Sequence, residues 1–126
     1  MQQFNLDEKF PTKSFKDYVV SELPKIVDTR GYIYIVQDSV FPDFFKIGRT
    51  ADMVKRLTAY NSDKPYPSTN VTFITKEFKN CTEVESKILD YLYKHTSPTT
   101  FKKEWFLIEH LPIAKELMLE AETTFE

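Results

Sequence analysis

The feature that most narrows the folds open to this chain is a pair of β-rich runs set close together. Residues 32–36 are all aromatic or β-branched, Phe44 to Ile47 returns to the same character, and residues 38–42 between them (Asp-Ser-Val-Phe-Pro) are turn-like. Such side chains fit a pleated surface, so the spacing predicts an antiparallel hairpin. Gly31 opens the first run. Gly48 is read as ending the second, where it would give a close backbone approach or a positive φ. These are the chain's two glycines, which implies a positional task for each.

The remaining segments fall into place around the hairpin. Residues 1–29 read as an N-terminal extension with a short amphipathic helix over residues 15–23, its apolar positions Phe15, Tyr18, Val19 and Leu23, stopped by Pro24. Residues 1–30 carry five acidic and five basic side chains, so this segment is assigned to packing or homo-oligomerisation rather than to ligand binding. Thr50 or Asp52 can cap a helix over Met53 to Tyr60 whose inward stripe is Met53, Leu57 and Tyr60. A loop over Asp63 to Thr69 leads to a third strand, Val71 to Phe78, and Thr82 opens a second helix that buries Val84, Ile88, Tyr91 and Leu92. Glu104 to Ile108 suggests a short strand or buried connector with Trp105 as a core aromatic. Pro112 suits the first residue of a C-terminal helix running to about Glu122. The order predicts a small α+β domain over residues 30–108, with a mainly antiparallel three-stranded sheet flanked by helices, and residues 109–126 as a C-terminal helix packed on it.

Composition limits what such a domain does. A chain of 126 residues, 41% hydrophobic, suits one domain with a modest core. Its net charge of −2 argues against coating nucleic acid by bulk attraction. The distribution is uneven: residues 44–66 hold five cations, Lys46, Arg49, Lys55, Arg56 and Lys64, against two acids, whereas residues 107–126 hold five acids against Lys115. Cys81 is the single cysteine and His95 and His110 are the histidines, which excludes an internal disulfide and zinc-type spacing and fits a reducing compartment. Residues 1–10 show no apolar run, so neither a signal peptide nor a membrane span is expected and the expected location is cytoplasmic.

Tyr32, Ile33, Tyr34 on the first strand, Lys46, Ile47, Gly48 on the second, an arginine on the following helix and a late Glu104, Trp105, Phe106 together resemble the GIY-YIG nuclease superfamily. They are most similar to a phage-type, DNA-binding subgroup with a K-I-G second motif and an E-W-F ending. The resemblance covers roughly residues 30–108. It implies a metal-dependent endonuclease that hydrolyses DNA and uses Mg²⁺ or Mn²⁺, in a host cell cytoplasm if the source is a phage. Position by position, Tyr34 takes the first-motif tyrosine, Lys46 the second tyrosine, Arg56 the helix arginine, Tyr60 the polar residue one turn on, and Glu85 the metal-binding glutamate. Some nucleases of the superfamily also carry lysine at the second motif. The superfamily's late asparagine has no match in residues 98–103.

These residue types suit phosphodiester chemistry in their own right. In-line attack needs an acceptor for the nucleophile's proton, positive charge at the non-bridging oxygens and stabilisation of the leaving alkoxide. Tyr34 can accept the proton if its pKa falls from about 10, which a neighbouring Lys46 would promote; a neutral Lys46 could instead relay the proton. Arg56 offers a planar fork to phosphate, with Tyr60 on the same helical face. Glu85 would hold Mg²⁺ largely through waters. Tyr32, Arg49, Lys55, Lys102 and Lys103 are expected along the substrate path.

Each residue also has a plainer use. Tyr32 and Tyr34 could fill a core, Arg56 could pair with Asp52, and Glu85 could close a capping box with Thr82, leaving Glu83 as the substitute ligand. The lysine in the second motif and the absent asparagine motivate an alternative, a catalytically weak or inactive DNA-binding module. A third reading is a protein-interaction domain using the acidic C-terminal helix.

Overall fold

The computed structural model describes residues 29–96 and 104–125. Its elements are β1 (Tyr32–Asp38), β2 (Phe44–Thr50), α1 (Met53–Asn61), β3 (Thr69–Ile74), α2 (Cys81–His95), β4 (Trp105–Leu107), a 3₁₀ turn (Ile108–His110) and α3 (Leu111–Thr124). The expected helix in the N-terminal extension, and Lys102 and Lys103, lie outside the described residues.

The hairpin forms as the β-rich runs dictate, with Tyr34 opposite Gly48, Ile35 opposite Ile47 and Val36 opposite Lys46. The sheet is antiparallel throughout, in the order β3-β1-β2-β4, so the predicted three strands gain a fourth. Residues 104–108 resolve the choice left open by the sequence in favour of a strand. Phe106 pairs with Phe45 and stacks on it at 5.7 Å between ring centres. Phe106, not Trp105, is the fully buried aromatic there, because strand alternation sends neighbouring side chains to opposite faces.

Alternation also divides the sheet's two faces. Ile33, Ile35, Phe45 and Ile47 join Val84, Ile88 and Leu92 of α2 and Ile113, Leu117 and Met118 of α3 in one apolar core. At about 25 cal/mol per Å² of apolar surface buried, this face supplies most of the driving force for folding. Tyr34 and Val36, on the alternate positions, are buried outside that cluster.

Three boundaries differ from expectation. β2 runs through Gly48 to Thr50, and neither glycine has a positive φ, so Gly48 serves close approach rather than chain reversal. β3 ends at Ile74 instead of residue 78, because the Thr75 hydroxyl accepts the Ile33 N–H at 3.0 Å and then donates to Lys76 O at 2.8 Å, diverting the ladder. α2 starts at Cys81 with Asn80 as its N-cap, and no capping box forms between Thr82 and Glu85.

Asp52 caps α1 as predicted, accepting the Lys55 N–H at 3.0 Å. Met53, Leu57 and Tyr60 are its half-buried stripe, and α1 has no fully buried residue. A polar clasp fixes the loop after it: Lys64 Nζ donates to Asp38 Oδ2 at 2.7 Å and to Thr69 Oγ1 at 2.5 Å, and Ser39 N–H donates to Ser68 O at 3.0 Å. The clasp joins the β1–β2 turn to the α1–β3 loop. Among the described residues no helix is long and apolar enough to cross a membrane.

Candidate active site

Gly48 shapes the site. A Cβ at this position would lie 2.5 Å from Tyr34 Cζ, so the phenol of β1 passes directly over the backbone of β2 where a side chain would otherwise stand. β4 pairs with residues 44–46 of β2 and stops short of Gly48. The outer half of β2 therefore borders a cleft of about 210 Å³, lined by Tyr34, Lys46 and Gly48 from the hairpin, Arg49 at its end, Arg56 of α1, Glu85 of α2 and Glu104 beside β4.

The site residues expected from the sequence divide accordingly. Tyr34, Lys46, Arg49, Arg56 and Glu85 share the cleft. Tyr60 reaches it through Tyr34, the two hydroxyls lying 2.8 Å apart with the rings edge to face. Tyr32 is half-buried and Lys55 exposed, and neither lines the cleft. Glu83 is 3.9 Å from Lys87 on its own helix and also lies outside it.

Tyr34 differs from expectation in its acidity. It is 1% exposed, and burial, reinforced by the hydrogen bond and charge interaction with Tyr60, pushes its pKa well above the ordinary tyrosine range; Arg56 opposes the shift without overcoming it. At neutral pH Tyr34 is a phenol, not a phenolate. Lys46 does not lower it. Its Nζ instead stands 5.1 Å from the centre of the Tyr60 ring and 3.6 Å from Glu104 Oε1. Tyr60, expected to share phosphate with Arg56, is engaged by Tyr34.

Glu85 is the buried charge of the site. Its side chain is 4% exposed, Oε1 accepts from Arg49 Nη1 at 2.6 Å, and Oε2 is buried without a hydrogen-bond partner. Burial raises its pKa against the opposing pull of Arg49, and Glu104 adds to the rise. A cleft-lining carboxylate with one buried, unpartnered oxygen, together with Glu104 as a second carboxylate, fits a hard divalent ion that binds few protein ligands and keeps its waters. Among the described residues no cluster of three or more His, Cys, Asp or Glu exists to hold a metal more completely.

The cationic excess of residues 44–66 is largely consumed within the fold. Arg49 faces Glu85, Lys64 faces Asp38 and Lys46 approaches Glu104. Arg56 is exposed and makes no ion pair among the described residues; the expected contact with Asp52 reduces to the backbone bond from Arg56 N–H to Asp52 O at 3.0 Å. Among the cations lining the cleft, Arg56 is thus the one most available to a phosphate. Glu104, read in the sequence only as part of a short strand or connector and of the Glu104, Trp105, Phe106 ending, is the further cleft residue; its distance of 58 positions from Lys46 gave no local signal, and only the pairing of β4 with β2 joins them.

No curated protein and no solved structure matches the chain. Residues 31–120 match the model of the T5orf172 domain, a phage-associated domain related to HNH/GIY-YIG-like nucleases and compatible with a nuclease or DNA-binding role, and the chain belongs to that family.

Proposed function

We propose that the protein is a metal-dependent endonuclease of the GIY-YIG type that hydrolyses DNA phosphodiester bonds. The observation that carries this reading is the convergence on one cleft of a phenol, two guanidinium groups, a lysine and a buried carboxylate with an unpartnered oxygen. A core-filling tyrosine pair or a helix cap explains neither the orphan oxygen nor an Arg56 that makes no ion pair among the described residues.

In this mechanism Arg56 binds the non-bridging oxygens through its planar fork, and Arg49 adds charge from the end of β2. Because Tyr34 keeps its proton at neutral pH, it works as a relay. Its oxygen takes a proton from the attacking water as its own proton passes to Tyr60, and from there to solvent. Either hydroxyl of the 2.8 Å contact can be the donor, as this requires. The water oxygen bonds to phosphorus, the opposite P–O bond breaks, and the departing oxygen takes a proton from solvent. Lys46 offsets negative charge at the tyrosine pair. Glu85, with Glu104 beside it, would hold Mg²⁺ or Mn²⁺, which when bound would stabilise the leaving alkoxide.

Supercoiled plasmid with Mg²⁺ or Mn²⁺ tests the reading. Wild type should nick it, and Glu85→Ala should abolish nicking while retaining DNA binding. A mobility shift without nicking would instead support the alternative, a DNA-binding module of the same fold. That alternative is favoured by one observation, the 2.6 Å contact that turns Arg49 inward to Glu85.

A further inference from the structure

A second cavity, of about 250 Å³, adjoins the cleft and is bounded by residues 29–31, 49–51 and 81–82, with Arg56 closing one side. We propose that this cavity binds a second phosphate of the nucleic-acid strand, next to the one held in the cleft, with Arg49 and Arg56 bridging the two. The inference rests on the phosphodiester reading of the cleft.

The two cavities differ in charge in a way that assigns them different occupants. The cleft contains two carboxylates, Glu85 and Glu104, and so can accept a cation as well as a phosphate. The second cavity is lined by three arginines, Arg30, Arg49 and Arg56, by the threonines Thr29, Thr50 and Thr82, and among the described residues by no carboxylate. Cys81 at its wall stays a neutral thiol, its pKa pushed up to about 11 by burial and by Glu85 against the pull of Arg49, so it does not oppose an anion. The start of α2 adds the positive end of a 15-residue helix.

Arg49 and Arg56 line both cavities. The contact with Glu85 occupies Nη1 of Arg49, and a guanidinium has five N–H donors, so Arg49 can neutralise Glu85 while presenting others to the neighbouring cavity. Gly31 keeps the space narrow on the strand side, since a Cβ there would meet Thr50 O at 2.9 Å. Consecutive phosphates of one strand are the ligand that places two anions side by side on shared cations.

The experiment has two arms. In the first, inorganic phosphate is titrated into the ¹⁵N-labelled protein and into Arg30→Gln. Saturable shifts at the Gly31 and Thr82 amides, weakened several-fold by Arg30→Gln, are expected; their absence would overturn the site even if DNA binds. In the second, duplex DNA binding is measured in EDTA for wild type and for Thr82→Glu, which adds a carboxylate at a position α2 tolerates. The variant should bind about tenfold more weakly, with a log-log salt slope smaller by about 0.9, the value for one phosphate contact. Phosphate shifts combined with unchanged DNA affinity and slope would mean a site for free phosphate and would sink the strand assignment alone. Failure of wild type to bind DNA at all would remove the phosphodiester reading along with it.

Discussion

Replacing Gly48 by alanine tests the packing that puts Tyr34 in the cleft, and the sign of the effect is diagnostic. Gly48 has no positive φ, so on backbone grounds alone alanine should stabilise the protein by about 0.4–1 kcal/mol, through the reduced freedom of the unfolded chain. The new Cβ would stand 2.5 Å from Tyr34 Cζ, whereas unstrained carbon atoms approach to about 3.5–4.0 Å. About 1 Å of overlap must be relieved. Tyr34 is 1% exposed and cannot swing into solvent, so overpacking of about 1–3 kcal/mol is expected, with about 1 kcal/mol more as the hydroxyl leaves Tyr60. The net expectation is a loss of about 2 kcal/mol. Urea denaturation followed by tryptophan fluorescence and far-UV circular dichroism would measure it. In a Tyr34→Leu background, whose shorter side chain clears Gly48, the same substitution should cost nothing or stabilise. A stabilised Gly48→Ala single variant, or an equal cost in both backgrounds, would refute the reasoning.

Other consequences are open to direct measurement. Arg56→Ala should slow plasmid nicking by roughly 10²–10³-fold, the usual effect of losing one transition-state donor, whereas Lys55→Ala should leave it nearly unchanged; equal effects of the two would remove Arg56 from the site. Asp38 is held at about 2 against an ordinary 3.8: its burial acts upward, but the Lys64 hydrogen bond and the Val40 N–H outweigh it. Its contribution, about 2 kcal/mol, is therefore present above pH 3.8 and lost as pH falls through about 2, so the stability gap between wild type and Asp38→Asn should close over that window. Glu85 has the opposite sign. Its folded pKa is raised, so relative to Glu85→Gln the wild type should lose stability as pH rises from about 4.5 through the folded value; a gap that widens in favour of wild type would contradict the burial of an uncompensated oxygen.

Local chemistry made the hairpin, the Asp52 cap and the buried face of α2 readable from residue order, because strand periodicity, a capping side chain and a 3.6-residue stripe act over a few positions. Long-range partners were not readable in the same way. Thr82 and Glu85 have the spacing of a capping box, yet Arg49, 36 positions away, takes Glu85 Oε1 once β2 and α2 pack together. Glu104 enters the cleft through the pairing of β4 with β2, which a three-residue strand hardly announces in the sequence. For Tyr34 the alternatives of core filler and site residue proved compatible: it is buried, and it still lines the cleft. What residue type could not convey was the desolvation that raises its pKa.

Because α1 buries none of its side chains fully, it is fastened chiefly at its last turn and beyond, where Tyr60 meets Tyr34, Asn61 exchanges hydrogen bonds with the Thr69 backbone at 3.0 and 3.1 Å, and Lys64 grips Asp38. Such an element opens at a lower free energy than the core helices α2 and α3. Its amides should exchange first with deuterium, and warming should detach Arg56 and Tyr60 from the cleft while the sheet stays folded. Loss of activity would then precede melting, and tightening the fastening at Lys64 would extend the working temperature without any change to the catalytic groups.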